Sequence, residues 1–251
     1  MSLAYWGSKK KLASRIADVL ADAADGRTVY HEPFCGMASV GLEALPRFRT
    51  SVWSDVHADV VLYWRAVQRG WLPSTRPLTQ AQWDAYRASA RPSVARSFYG
   101  FHFGWGGHFL TGRTLVRDKN TEAHLRGVRE RVRVAGEAMR DHRVRVEHAA
   151  YWELRPKRAV VYCDPPYVGE NSGRHFRPED MARLWDCMRV WLRDGCAVFL
   201  SASERPRAPP GLRLDVVAQW TVYNNTASIN PHAPRHRHEL LLRVRHSATR
   251  P

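Results

Sequence analysis

Cysteine is scarce in this chain of 251 residues: its four thiols, Cys35, Cys163, Cys187 and Cys196, form no Cys-x-x-Cys pair. They stand in apolar or strand-like settings, which marks them as reduced core thiols and speaks against a zinc site or a disulfide framework. The histidines of Arg235-His236-Arg237-His238 lack metal-ligand spacing, so no metal is expected. No apolar run approaches the roughly 20 residues that span a bilayer, and the amino terminus lacks a secretory pattern, so the expected location is cytoplasmic with no membrane partner. Internal repeats and low-complexity tracts are absent. Lysine is scarce as well, at five against 34 arginines, yet the formal net charge is +15. Such a surplus points to a polyanion, above all a nucleic acid. The planar guanidinium suits phosphates and guanine edges, although arginine-biased codon usage produces the same count. The length allows one large or two small domains with a substantial core.

What is present is organised around Ala159-Val-Val-Tyr-Cys-Asp-Pro-Pro-Tyr167. Five apolar or aromatic residues in a row, rich in β-branched types, predict a strand buried on both faces of a parallel sheet. Pro165 and Pro166 cannot continue a ladder, so the strand stops at Asp164 and presents it at the carboxyl edge, where open α/β sheets bind ligands. Asp164 and the Pro165 carbonyl, on stiff backbone, can accept both hydrogens of an exocyclic amine. That would draw a delocalised nitrogen lone pair toward tetrahedral geometry, while Tyr167 stacks on the ring. A strand followed by a Pro-rich turn with a capping aspartate has the same letters, so context must decide.

The chain opens with Tyr5-Trp6-Gly7-Ser8-Lys9 ahead of Leu12, Ile16, Val19 and Leu20 at helical spacing, with Ser8 as the expected N-cap. Two aromatics, a glycine and a lysine before a helix start suit an adenine face and a carboxylate, or plain packing. Thr28–His31 predicts a first strand running into Glu32-Pro33-Phe34-Cys35-Gly36 and a helix start whose amides face a ligand. This is not the Gly-x-Gly-x-x-Gly of dinucleotide binders, which disfavours a hydride-transfer cofactor. A second strand, Ser51–Ser54, ends at Asp55. An acid there grips ribose hydroxyls in β-α-β units, or caps the predicted 58–69 helix.

In order, the aromatic-x-Gly-x-Lys opening, Glu-Pro-Phe-x-Gly, Asp55 and Asp-Pro-Pro-Tyr resemble the Dam-type DNA adenine methyltransferases, over nearly the whole chain. The resemblance implies a Rossmann-like α/β methyltransferase sheet, mostly parallel with an antiparallel closing strand. Residues 1–69 and 141–251 would form the catalytic domain and 70–140 an inserted helical target-recognition domain. The implied activity is site-specific methyl transfer from S-adenosylmethionine to the N6 amino group of adenine in double-stranded DNA, after base flipping. A cytosine-N4 or RNA amino-methyltransferase, or a weak DNA-binding relic, stands as the alternative. The implied cofactor contacts are Tyr5, Trp6, Gly7, Lys9, Glu32, Pro33, Phe34, Gly36, Asp55 and Asp164, with Asp164, Pro165, Pro166 and Tyr167 catalytic. The family leaves a cognate restriction endonuclease open as a partner. Two departures matter. Ala38 replaces a glycine of the first motif, and Ala150 stands where the family commonly has an aspartate reaching the cofactor's adenine, which predicts weaker cofactor binding.

Between 70 and 140 the character shifts. Residues 97–109 crowd aromatics and glycines without helical or strand periodicity, and residues 121–140 read as a basic helix. Arg113, Arg117, Lys119, Arg126, Arg129, Arg131 and Arg133 suit phosphate contact, while most of the rings suit a small core of their own. Farther on, 143–147 predicts a strand. A helix from Pro178 to Arg193 is expected to bury Met181, Leu184, Trp185, Met188 and Leu192. Strands are expected at 196–201, 212–217 and 239–244. Residues 224–238 read as a polar loop in which Arg235 and Arg237 are candidate phosphate contacts.

Overall fold

The computed structural model describes residues 9–104, 108–111, 119–166, 176–223 and 236–247. A turn at Lys10–Leu12 leads into α1 (Ala13–Asp22), whose Leu12 is the N-cap, without a side-chain cap bond. Ser8 is therefore too early to cap α1, and it lies outside the described residues. The α1 face carrying Ile16, Ala17 and Leu20 is buried, as the spacing predicts.

Then follow β1 (Val29–Glu32), α2 (Ser39–Ala44), β2 (Thr50–Asp55) and α3 (Ala58–Gln68). Three further helices come next: α4 (Gln80–Ala88), α5 (Val94–Phe103) and α6 (Glu122–Asp141). The chain returns to the sheet with β3 (Arg143–His148) and β4 (Val160–Cys163), crosses through α7 (Pro178–Arg193) to β5 (Ala197–Ala202), and closes with β6 (Leu212–Tyr223) and β7 (His236–His246).

The strands lie in the order β3-β2-β1-β4-β5-β7-β6. The first five are parallel, and β7 runs antiparallel to both β5 and β6. This is the mostly parallel α/β sheet with an antiparallel closing strand that the resemblance implies. Strand order reverses between β1 and β4, the place where open α/β sheets leave a crevice at their carboxyl ends. All four β4 residues are buried, so the apolar run is a strand covered on both faces.

Alternation along the strands sorts the core into two layers. Tyr30, Tyr162, Phe199 and Leu241 join α1, α2, α3, α5 and α6 on one face, while Val161, Cys163, Val198, Leu200 and Leu242 pack against α7 on the other. The outer strand β3 has its carbonyls occupied by α3: Arg65 Nε donates to Val146 O at 3.0 Å and Gln68 Nε2 to Val144 O at 2.8 Å. An edge so covered is a poor template for pairing with another chain.

Four expectations are corrected. Residues 97–103, read as aperiodic, are the body of α5, capped by Ser93, whose side chain accepts from the Arg96 amide. Every residue from Ser97 to Phe103 is buried, so the helix is apolar all round and has no amphipathic stripe to detect. On α7 the fully buried face is Leu184, Trp185, Met188 and Trp191, with Met181 and Leu192 only partly buried. The polar loop expected to reach His238 ends earlier, because His236, Arg237 and His238 begin β7 and pair with Tyr223, Val222 and Thr221. The final strand's partner is also longer than expected: β6 passes Val217 through a register shift between Val216 and Ala218. None of the four cysteines forms a disulfide, and three of them are buried.

Candidate active site

Three carboxylates line the carboxyl edge of adjacent parallel strands: Asp55 ends β2, Glu32 ends β1 and Asp164 follows β4. Their depths differ by register. Glu32 is level with Trp53, and His31 is level with Val161, so Asp55 and Asp164 each stand two residues farther out than Glu32. Glu32 is accordingly buried, and its carboxylate sits under α2. A Cβ added at Gly41 would fall 2.6 Å from Glu32 Oε2 and 2.7 Å from Trp53 Nε1, so only glycine lets α2 lie this close. Burial, with Asp164 and Asp55 adding negative charge nearby, holds the Glu32 carboxyl well above the ordinary carboxylate range.

The loop from Pro33 to Ala38 is braced from β2 and α3. Asp55 Oδ2 accepts from the Gly36 amide at 2.9 Å, and its Oδ1 accepts from the His57 amide at 2.8 Å. Ser54 O accepts from the Cys35 amide at 3.0 Å, while Trp64 Nε1 donates to Gly36 O at 2.9 Å. The N-cap of α3 is His57, which accepts from the Asp59 amide, so Asp55 braces the loop and is not the cap. Phe34 leans outward onto Tyr151, with ring centroids 5.2 Å apart, and meets Phe176 edge-on at 6.2 Å.

The amino-terminal lysine comes to the same edge. Lys9 is buried, and its Nζ donates to Asp164 Oδ1 at 2.7 Å and lies 3.5 Å from Glu239 Oε1. Two motifs 155 residues apart in sequence thus meet in one charge-assisted hydrogen bond. Beneath them the Tyr162 hydroxyl shares a 2.8 Å hydrogen bond with Ser201 Oγ. Burial first, then the charges of Asp164, Glu239 and Glu32, raise that phenol far above its usual range, so it stays neutral.

Glu239 is the functional candidate that the sequence reading missed, although a lone acid leading into Leu240-Leu241-Leu242 was a visible signal. Antiparallel β7 starts at the edge where the parallel strands finish. Its residues Leu240 and Leu241 pair with Ala202 and Ser201 at the end of β5, which brings Glu239 to the carboxyl side.

The structure therefore brings together Lys9, Glu32, Pro33, Phe34, Gly36, Asp55, Asp164, Pro165 and Pro166. Tyr5, Trp6, Gly7 and Tyr167 lie outside the described residues, as do Arg113, Arg117 and Arg235. Lys119 and Arg126 are exposed, with Arg126 paired to Glu122 at 3.4 Å one helical turn away. Arg237 lies in β7 opposite Val222. Ala150 is buried just past β3, and its amide donates to Glu153 Oε2 at 2.7 Å, so a carboxylate three residues on reaches back to this position.

Among solved structures the chain is similar to the Escherichia coli protein yhhF, described as a methyltransferase (12% identity, 96% of this chain and 90% of that one, TM-score 0.39). It is also similar to TrmN from Thermus thermophilus (13% identity, TM-score 0.42), covering 94% of this chain and 52% of that one. A third is magnesium protoporphyrin IX methyltransferase (ChlM) from Synechocystis PCC 6803 with bound SAM (11% identity, TM-score 0.41), covering 93% and 79% of the two chains. No curated protein matches the chain. The Asp-Pro-Pro-Tyr tetrad is carboxyl-terminal to the part of the chain that matches a family. Residues 5–102 match the family model of the D12 class N6 adenine-specific DNA methyltransferases.

Proposed function

We propose that the protein transfers a methyl group from S-adenosylmethionine to the N6 amino group of adenine in duplex DNA, at a specific site and on a base extruded from the stack. The observation that carries this is the meeting of Lys9 with Asp164, 2.7 Å apart, beside the β1/β4 crevice. It joins the opening motif to the tetrad aspartate at the carboxyl edge where strand order reverses, the place at which open α/β sheets bind ligands.

The residues at that edge fit the cofactor. Glu32 is buried at the strand end with its carboxyl held well above the ordinary range by burial, and a nearby ammonium group such as methionine's would favour its ionised form. The Asp55 oxygens, each fixed by a backbone amide, retain capacity to accept from ribose hydroxyls. Tyr5, Trp6 and Gly7 ahead of Lys9, with Pro33, Phe34 and Gly36, complete the cofactor set. When bound, the cofactor supplies a sulfonium-activated methyl group. Ala150 in place of an acid leaves recognition of the cofactor's adenine to backbone and to Glu153, which weakens the hold.

The chain's own groups do the rest. Lys9 holds Asp164 Oδ1, so that Oδ2 and the Pro165 carbonyl receive the two amine hydrogens. The Asp164 carboxylate would stabilise the positive charge that develops on the nitrogen as the methyl group leaves the sulfonium, and the surplus N–H proton would then be released to solvent. Pro165 and Pro166 fix the direction of both acceptors, and Tyr167 stacks on the base. Extruding the base costs a few kcal/mol, on the order given for base-flipping enzymes. Residues 70–140 form the target-recognition insert, and Arg113, Arg117, Lys119, Arg126, Arg235 and Arg237 contact phosphates.

Asp164→Ala is expected to lower methyl incorporation into DNA by at least about 10³-fold, the scale of losing a central electrostatic group, while DNA affinity stays within about threefold. Labelled-methyl incorporation and gel mobility shift measure the two. Turnover near that of the wild type would remove the mechanism. Mass analysis of the digested product identifies the base and polymer, and N4-methylcytosine or methylated RNA would replace the substrate named here.

A further inference from the structure

Two imidazoles with unused nitrogens meet at the amino terminus of α6. His124 is the third residue of that helix, and its ring lies 5.5 Å from the ring of His102, the penultimate residue of α5. His102 is 5% exposed, stacked on Phe98 at 5.4 Å and edge-on to Phe103 at 4.7 Å. Neither of its ring nitrogens has a hydrogen-bond partner, and His124 Nε2 is buried in the same state. Burying a polar atom without a partner is costly, and a phenylalanine at 102 would extend the Phe98–Phe103 packing at no such cost.

The charges around the pair decide what completes it. Lys119 stands just ahead of the helix, on a turn that Asn120 fixes: its Oδ1 accepts from the Leu78 amide at 2.7 Å and its Nδ2 donates to the Leu78 carbonyl at 2.8 Å. Arg131 lies two turns beyond His124 on the same face of α6. Burial first, then His124, Lys119 and Arg131, push the His102 imidazole down to about 3, and burial with the same two cations lowers His124. A metal ion would have to enter beside two fixed positive charges, whereas an anion is drawn to them. The helix end adds to this attraction. Thr121 Oγ1 accepts from the His124 amide at 3.2 Å, which leaves the Glu122 and Ala123 amides without an intrahelical acceptor at the positive end of the helix dipole. The acid of that turn, Glu122, is turned to Arg126.

We propose that His102 and His124, with Lys119 and the amino terminus of α6, form a seat for a phosphate group. On the reading of the protein as a DNA methyltransferase, on which this assignment of the ligand rests, the group is one phosphate of the substrate backbone. Exposed Lys119 and half-buried His124 form the mouth, and His102 closes the floor. The anion favours the imidazoles in their protonated, doubly donating form, with the proton taken up from solvent, so that nitrogens left idle in the empty seat become donors.

The test follows the imidazole nitrogens of the full-length protein, carrying isotope-labelled histidine, by NMR during separate titrations with a short DNA duplex, inorganic phosphate and zinc ion. The duplex should shift the His102 and His124 signals saturably. A response to inorganic phosphate and none to the duplex would support the seat and make its ligand a free phosphate. Rings unmoved by both, or moved by zinc alone, would overturn the proposal. His102→Phe keeps the aromatic packing and deletes both nitrogens. It should weaken binding of the anion that moves the rings by about tenfold, the scale of a hydrogen bond to a charged group, and raise the Tm of the unliganded protein. His102→Gln, which retains a donor, should recover most of the affinity. An affinity unchanged in His102→Phe would mean that the ring serves packing alone and would overturn the proposal. Should that variant fail to fold, the wild-type titrations decide. Absence of DNA binding by the wild type would overturn the proposed function, and the phosphate titration would then judge the seat by itself.

Discussion

Ala38 holds a backbone conformation that alanine seldom adopts. At φ 45° and ψ 42° it sits in the left-handed region as the N-cap of α2, two residues after Gly36, which is also left-handed at φ 46°. The Cβ penalty there is about 1–2 kcal/mol, partly offset because alanine loses less conformational freedom than glycine on folding. Ala38→Gly is therefore expected to stabilise the protein by about 0.5–1 kcal/mol, a rise of about 1–4 °C in Tm by calorimetry for a chain of this size. A fall in Tm would show that the Cβ, fully buried in the core, contributes more packing than strain. The sequence disclosed that a glycine was replaced. That the backbone keeps the glycine conformation regardless is a fact of the folded loop, held by Asp55, Ser54 and Trp64. The same holds for Asp55: its place at the end of β2 was legible from the motif order, but its bond from the Gly36 amide was not, because Gly36 reaches it only once β1 and β2 are paired, whereas the His57 amide two residues on is a local partner.

At the scale of elements, α6 shows how packing distance is set by one residue. A Cβ at Gly136 would come 2.7 Å from the Val67 carbonyl at the end of α3, an approach that backbone cannot relieve cheaply. Gly136→Ala should gain about 1 kcal/mol of helix propensity and lose more by driving α6 off α3, for a net destabilisation of about 1–2 kcal/mol in denaturant titration. A stabilised variant would mean that α6 is free to shift. The existence of α6 was legible, because Thr121 caps it and its apolar residues recur at helical spacing. Its partner α5 was not, because a helix buried on every side carries no period. Strand β4 and helix α7 were read from proline positions, which break ladders and start helices for local steric reasons. The length of β6 was hidden since its pairing with β7 comes from the far side of a long connection.

Across the whole molecule, the helices of residues 70–140 share a core with the sheet. Trp83, Phe98, Phe101, Leu125 and Val128 belong to the same buried cluster as Ile16, Tyr30 and Val60. Thermal unfolding is therefore expected to give a single calorimetric transition with equal calorimetric and van't Hoff enthalpies. Two resolved transitions would mean that 70–140 folds as an independent unit. The net charge of +15 has a structural side too. Arg65, Arg129 and Arg140 donate to backbone carbonyls of Val146, Pro73 and Gln68, and Arg133 is clasped by Glu130 and Glu137 on α6. Part of the arginine surplus thus fastens helices and strands, and composition alone overstates how much of it meets a polyanion.

The sequence by itself determined the α/β alternation, the buried β4 strand ending in Asp164, the loop after β1 and the acid after β2, because these depend on local sterics and on short-range periodicity. Only the tertiary structure decided that Lys9 meets Asp164, that Glu32 is recessed beneath α2, and that Glu239 arrives behind them on an antiparallel strand. Those relations depend on strand order and register, which bring together residues as much as 230 positions apart, and no local propensity encodes them.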